Sequence, residues 1–331
     1  MKKILVLATG GTIVSTLQQN GLAPGLSLEQ LSYYFKESHH SDAQISFQVL
    51  MNKDSTNMQP EDWLHIARTI YENRHQYDSF IITHGTDTMA YTAAGLSYLL
   101  SGIDKTIVIT GSQVPISFRK TDAKKNIEDA LTFAEHAELS GVYVVFDGKA
   151  ILGTRAIKMR TKSYDAFNSI NFPYIAAISQ GRLDILYRPE TETINFENKM
   201  NLCPNVFLVK AFPGLSPQFF DFIKKNAKGL IIESFGNGGL PFEKRNLVTY
   251  VYDLVHSGIP VVITTQCLEE GQNMSIYEVG KKVGEAGGIT AGDMNTEAIV
   301  AKLMWILGTT NDLSEVKRRL QTPIAHDLNY I

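Results

Sequence analysis

Ile4-Leu5-Val6-Leu7-Ala8 runs directly into Thr9-Gly10-Gly11-Thr12. Five apolar residues without a polar break fit a strand buried on both faces, as in parallel sheets. Two glycines then let the backbone turn sharply and let a ligand approach closely. A threonine hydroxyl is thereby set at the end of a rigid strand. The pattern returns at 80–83, where a second apolar run leads into His84-Gly85-Thr86-Asp87-Thr88. Similar runs occupy 106–110, 142–146, 206–209, 229–233 and 261–264.

Amphipathic stretches separate the runs. Ser27-Leu28-Glu29-Gln30 has the form of a capping box. Pro60 suits a first helical turn, after which Trp63, Ile66, Ala67 and Ile70 share one face. Ile127, Leu131 and Ala134 form another such face, and Ile299, Leu303 and Ile306 a third. Alternating strands and helices predict an α/β fold with helices on both faces of mainly parallel sheets. With 331 residues, two domains are expected. The polar stretch 188–204 reads as a linker between a larger N-terminal domain, 1–187, and a smaller C-terminal one, 205–331.

Composition narrows the function classes. The formal net charge is -3, so no large basic field points to nucleic acid or an acidic membrane. Arg119-Lys120, Lys124-Lys125 and Lys317-Arg318-Arg319 read as solvated faces. Cys203 and Cys267 supply neither a disulfide framework nor a zinc spacing. The apolar run after Met1-Lys2-Lys3 is too short for a signal peptide, and no stretch has the length of a membrane span. The cytoplasm is the expected location. No GxGxxG, P-loop or GxSxG is present.

In open α/β sheets chemistry gathers beyond the carboxyl ends of the strands. Residues 9–12, 84–88, 111–113 and 147–148 occupy those places. Taken singly, the first two are no more than a strand-to-loop turn and a capped helix start. His84 reads as a satisfied structural histidine and His39-His40 as solvated. Taken together, Ala8-Thr9-Gly10-Gly11-Thr12-Ile13 and His84-Gly85-Thr86-Asp87-Thr88-Met89 resemble the two signature motifs of bacterial-type L-asparaginases, in order and separation. The resemblance extends over nearly the whole chain. It includes Asp54-Ser55-Thr56-Asn57-Met58, Ile109-Thr110-Gly111-Ser112-Gln113, residues 155–167, Phe235-Gly236-Asn237-Gly238 and Thr264-Thr265-Gln266-Cys267. The last of these is similar to cytosolic rather than periplasmic members.

The resemblance implies an amidohydrolase that converts L-asparagine to L-aspartate and ammonia without a cofactor or metal. It makes Thr12 the nucleophile and Thr86, Lys158 and Asp87 the proton relay. Asp87 would hold the substrate's α-ammonium and Ser55 its α-carboxylate, with Asp54, Thr56 and Gly85 around the same pocket. Backbone N–H groups near Gly11 and Thr86 would stabilise the oxyanion. Asn237 would enter from a neighbouring subunit, which implies a homodimer or homotetramer.

The chain also departs from the family pattern. Residues 14–27 read as a lid loop, yet they contain no tyrosine; Leu22 stands about where one is expected. Tyr33, Tyr34 or a water chain would then serve, or activity would be weaker. Asn57 replaces a common aspartate and Thr56 a glutamine or serine. Glu233 stands where some cytosolic members carry an arginine that helps bind a second asparagine, which argues against allosteric activation. Two other functions remain open: a glutamine- or asparagine-dependent amidotransferase subunit, and a silent amino-acid sensor. The first usually carries an extra N-terminal domain. The second needs no nucleophile.

Overall fold

The computed structural model of the chain describes residues 1–18, 21–25, 27–38, 43–190 and 200–329, with backbone only over 16–24. His39-His40, most of the expected linker and the Leu22 side chain lie outside the described residues. Two compact units form, Met1–Met200 and Asn201–Ile331.

The first unit begins with β1 (Lys3–Gly10), a hairpin of β2 (Ser15–Gln18) and β3 (Gly21–Pro24), α1 (Leu28–Glu37) and β4 (Gln44–Lys53). It continues through α2 (Pro60–Asn73), β5 (Ser79–Thr83), α3 (Met89–Leu99), β6 (Thr106–Thr110), α4 (Ala123–His136) and β7 (Gly141–Phe146). Short strands complete it: β8 (Lys149–Leu152), β9 (Ala156–Lys158), β10 (Phe167–Ser169), β11 (Ala176–Ser179) and β12 (Arg182–Ile185). Eight strands form one sheet in the order β12-β11-β8-β7-β6-β5-β1-β4. Its β4-β1-β5-β6-β7 portion is parallel and the rest antiparallel.

Burial follows the pleat. Ile4, Val6, Ile81, Val108 and Val145 share a core with Leu31 and Phe35 of α1 and with Ile127, Leu131 and Ala134 of α4. Leu5, Leu7, Phe80, Ile82, Ile107 and Ile109, of opposite parity, are also buried. On α2, Trp63, Ile66, Ala67 and Ile70 are buried as the sequence pattern requires, Ile66 and Ile70 each contributing up to about 1.5–3 kcal/mol. Ser27 and Gln30 form the expected reciprocal cap, and Pro60 opens α2.

Strand β4 carries no such continuous apolar run. It is the sheet's edge, and none of its residues is fully buried; its sign in the sequence is the alternation Ile45-Ser46-Phe47-Gln48-Val49, not an apolar run. Residues 14–27, expected as a lid loop, instead contain the β2–β3 hairpin.

The second unit has β13 (Val206–Lys210), α5 (Phe219–Asn226), β14 (Gly229–Ser234), α6 (Leu247–His256) and β15 (Val261–Thr265). These are followed by α7 (Glu278–Glu285), β16 (Ile289–Thr290), α8 (Thr296–Leu307) and α9 (Leu313–Leu320). Its sheet, β13-β14-β15-β16, is wholly parallel. The buried stripe Ile299, Leu303 and Ile306 of α8 is the one seen in the sequence. Among the described residues, no helix is long and apolar enough to cross a membrane.

Register decides where the motifs meet. Ala8 pairs with Thr83, and Thr83 with Thr110. The segments 9–12, 84–88 and 111–113 therefore leave the sheet side by side at its carboxyl edge.

Candidate active site

Gly10 and Gly11 have φ of 106° and 81°, the left-handed region open to glycine. A Cβ on Gly11 would lie 2.3 Å from the Gly85 nitrogen. The two motif backbones thus touch, and Thr12 and Thr86 each follow one of the touching glycines. Thr12 opens a short 3-10 turn, Thr12–Val14, and is half-buried. Thr9, by contrast, is buried and donates to the Thr83 carbonyl at 2.8 Å.

Lys158 arrives from outside the parallel strands. Hairpin β9–β10 pairs it with Phe167. Its Nζ donates to Thr86 Oγ1 and to Asp87 Oδ1, both at 2.7 Å. The Lys158 side chain is 16% exposed and that of Asp87 57%, so the ammonium is sheltered while the carboxylate faces solvent. Thr86 Oγ1 donates in turn to Gln113 Oε1 at 3.2 Å.

Ser55 is buried beneath Gly85: a Cβ on that glycine would lie 2.5 Å from Ser55 Oγ. Thr88 Oγ1 donates to the Ser55 carbonyl at 2.7 Å and fixes this approach. Asp54 Oδ1 accepts from Thr56 N at 2.9 Å and Thr56 Oγ1 at 2.7 Å. Asp54 and Thr56 therefore hold each other in the turn that presents Ser55. Of the expected site residues, Gly11, Gly85, Thr86, Asp87, Lys158 and Ser55 are linked through these contacts. Asn237 lies in the second unit, in a tight turn closed by Phe235 and Gly239, and accepts from Asn273 N at 3.2 Å.

His84 is fully buried. Its Nδ1 lies 2.7 Å from the Gly85 carbonyl, which can only accept, so Nδ1 carries the hydrogen. Its Nε2 then accepts from Thr92 Oγ1 at 2.9 Å. Burial lowers its pKa to about 4, so the ring is a neutral brace at neutral pH. Tyr33 is exposed. Tyr34 packs on the core cluster, with Lys124 Nζ 5.9 Å above its ring.

At the carboxyl edge of the second sheet, Glu233 Oε1 accepts from Thr296 Oγ1 at 2.7 Å, and Gln266 Nε2 donates to the Ala211 and Glu233 carbonyls. Burial raises the nearby Glu297 carboxyl to about 7, and the Glu233 charge adds to the rise.

Residues 3–191 match the family described as Asparaginase, N-terminal, and residues 205–320 match the Glutaminase/Asparaginase C-terminal domain. The chain belongs to the asparaginase family. Within this family it is 39% identical to the L-asparaginase of Thermococcus kodakarensis over 98% of the chain and 99% of that protein. The solved structure of a Thermococcus kodakarensis L-asparaginase aligns with a TM-score of 0.93, covering 99% of each chain. L-asparaginase 1 of Escherichia coli is 32% identical, with 99% of this chain and 98% of the relative covered. A Glutamyl-tRNA(Gln) amidotransferase component of Pyrococcus furiosus is 36% identical over 98% of the chain but 76% of that relative.

Sequence reasoning gave Gln113 a place at a strand end but no role. Its bond to Thr86 spans 27 positions and follows only from the pairing of β5 with β6.

Proposed function

We propose that the protein is an L-asparaginase. The observation that carries this reading is Lys158 Nζ standing 2.7 Å from both Thr86 Oγ1 and Asp87 Oδ1, beside the glycine turn that ends in Thr12. A hydroxyl nucleophile needs a base within reach, and an amine in its neutral form can take a proton through the Thr86 hydroxyl. Thr12 attacks the side-chain amide carbon of L-asparagine, and its proton passes through Thr86 to Lys158. Backbone N–H groups at Gly11 and Thr86 receive the developing oxyanion. Ammonia leaves with a returned proton, and water then frees L-aspartate from the Thr12 ester.

Selectivity for an amino-acid amide comes from two contacts. The exposed Asp87 carboxylate takes the α-ammonium, and Ser55, held by Asp54, Thr56 and Gly85, takes the α-carboxylate. Asn237 of a neighbouring subunit completes the pocket in a homodimer or homotetramer located in the cytoplasm. An apolar cleft of about 780 Å³ beside Asn237, walled by Phe235, Phe242, Tyr277 and Val279, supports coverage of this face by another subunit.

The similarity to an amidotransferase component favours one second reading, in which ammonia is delivered to a partner enzyme rather than released. Ammonia release from L-asparagine and L-glutamine, with the purified protein alone and with Thr12→Ala, separates the two. Turnover of asparagine is expected to fall by about three orders of magnitude or more in Thr12→Ala, with circular dichroism unchanged. Substantial activity in that variant removes Thr12 from the mechanism. No release by the wild type favours the amidotransferase.

A further inference from the structure

The Thr86 hydroxyl has one hydrogen and two lone pairs. Lys158 Nζ donates to one lone pair at 2.7 Å, and the hydrogen is directed to Gln113 Oε1 at 3.2 Å. The Gln113 amide is fixed in this sense, because its Nε2 donates to the Arg160 and Ser163 carbonyls at 3.2 and 3.1 Å. Turned over, the amide would set its oxygen against two carbonyl oxygens.

The backbone of Gln113 is held as firmly. Asp122, 4% exposed, accepts from Gln113 N at 2.9 Å and Val114 N at 3.0 Å. Burial raises the Asp122 carboxyl above its usual range, while these amide donors pull it back. Asn126 donates to Asp122 at 3.2 Å and to the Gly111 carbonyl at 2.9 Å, and accepts from Asp147 N at 2.9 Å. One amide oxygen is thus presented to one hydroxyl by a network spanning the ends of β6 and β7.

This bond depends on the state of the lysine. With Lys158 neutral, its lone pair and Gln113 Oε1 compete for the single Thr86 hydrogen. With Lys158 protonated, the lysine donates to the Thr86 oxygen, and the hydrogen belongs to Gln113 alone. We propose that Gln113 is a positioning residue that receives the Thr86 hydrogen once the relay is charged, and so holds the proton on Lys158 while Thr12 attacks. The proposal rests on the asparaginase reading above. In that step the Thr12 O–H bond breaks as its oxygen joins the amide carbon. The proton bonds to Thr86 Oγ1, and the hydrogen formerly on Thr86 bonds to Lys158 Nζ. The lysine gains the positive charge and the substrate carbonyl oxygen the negative one. Gln113 then turns the Thr86 hydrogen away from the Thr12 oxygen of the tetrahedral adduct and disfavours collapse back to substrate; the ester forms only when the lysine's proton passes to the amide nitrogen, the C–N bond breaks and ammonia leaves.

The test is the pH dependence of kcat and KM for L-asparagine in the wild type, Gln113→Met and Gln113→Glu, with melting curves for each. Gln113→Met keeps the volume and removes the acceptor. Its kcat is expected to fall about ten-fold, with KM within about two-fold of wild type. The acid limb of its kcat profile moves to lower pH, because the charged relay has lost a bond. Gln113→Glu keeps an acceptor for Thr86 while its second oxygen must shift away from the Arg160 and Ser163 carbonyls; its negative charge beside the lysine moves the acid limb to higher pH. Opposite displacements support the proposal. Wild-type kcat and limbs in both variants overturn it, as does a loss of kcat and melting temperature with the limbs unmoved. If Gln113→Met does not fold, the direction of the Gln113→Glu limb decides. A wild type that releases no ammonia overturns the asparaginase reading and this proposal together; an active wild type with unmoved variants overturns only the role of Gln113.

Discussion

Lys158 Nζ lies 2.7 Å from Asp87 Oδ1 in the first unit, and Lys302 Nζ lies 2.7 Å from Asp327 Oδ2 in the second. The bond is the same; its surroundings are not. Side-chain exposures are 16% and 57% for the first pair and 0% for both members of the second. Lys302 also donates to the Leu320 carbonyl at 2.9 Å and the Thr322 carbonyl at 2.8 Å. Three donors thus meet three oxygens, none of which can return a proton at ordinary cost. Asp327 Oδ1 accepts from Ile324 N at 2.9 Å as well. This pair is a crosslink from α8 to the chain after α9. Lys158 has a hydroxyl as its second partner, and a hydroxyl both accepts and donates. An ion pair becomes chemistry where one partner can pass a proton and the other can reach a ligand.

The contrast can be broken at either end. Lys158→Met is expected to lower asparagine turnover by about 10²–10⁴-fold while the melting temperature stays near that of the wild type. Calorimetry and an ammonia assay on one sample would show both. A variant that unfolds as readily as it loses activity would make Lys158 a structural residue like Lys302. Lys302→Met should do the reverse. It strands Asp327 in the interior at a cost of about 3–5 kcal/mol, read as a lower denaturant midpoint. An unchanged midpoint would mean that the buried pair is not a staple.

Glu297 sharpens the comparison with a smaller effect. Burial and Glu233 raise its folded pKa from 4.5 to about 7. A carboxyl raised on folding contributes stability that is full below the unfolded value and is lost as pH rises through the folded one. The second unit should therefore weaken by up to about 3 kcal/mol between those two values. Glu297→Gln should remove that slope, so its advantage in melting temperature over the wild type grows as pH rises from about 4.5 to about 7 and levels off above that. An equal difference at acid and alkaline pH would place the titration elsewhere. Desolvation, the larger cause of the rise, acts here without a close amine such as Asp87 has in Lys158, and below about pH 7 the acid is protonated rather than paired.

Much of this was legible beforehand. All seven apolar runs became parallel strands, six of them because fully buried strands admit few polar residues; the seventh, β13, is an edge of its sheet and buries only Val209. The stripes on α2, α4 and α8 became buried faces. What escaped was short or half-exposed: β4 at the sheet edge, and β8 to β12, each of three or four residues, too brief to show a period. In the site, Thr12, Thr86 and Asp87 stood at strand ends that the α/β rule singles out, but Lys158 was legible only through family resemblance. Nothing local distinguishes it from Lys162 four residues on.

The sequence by itself determined the alternation of strand and helix, the glycine turns and the hydroxyls at their ends, since these rest on side-chain polarity and φ within a few residues. Tertiary structure alone decided that Lys158 reaches Thr86 across 72 positions and that Gln113 reaches it across 27. Those contacts depend on strand register and on the separate β9–β10 hairpin that carries Lys158, and register is a property of paired strands that neither strand encodes alone.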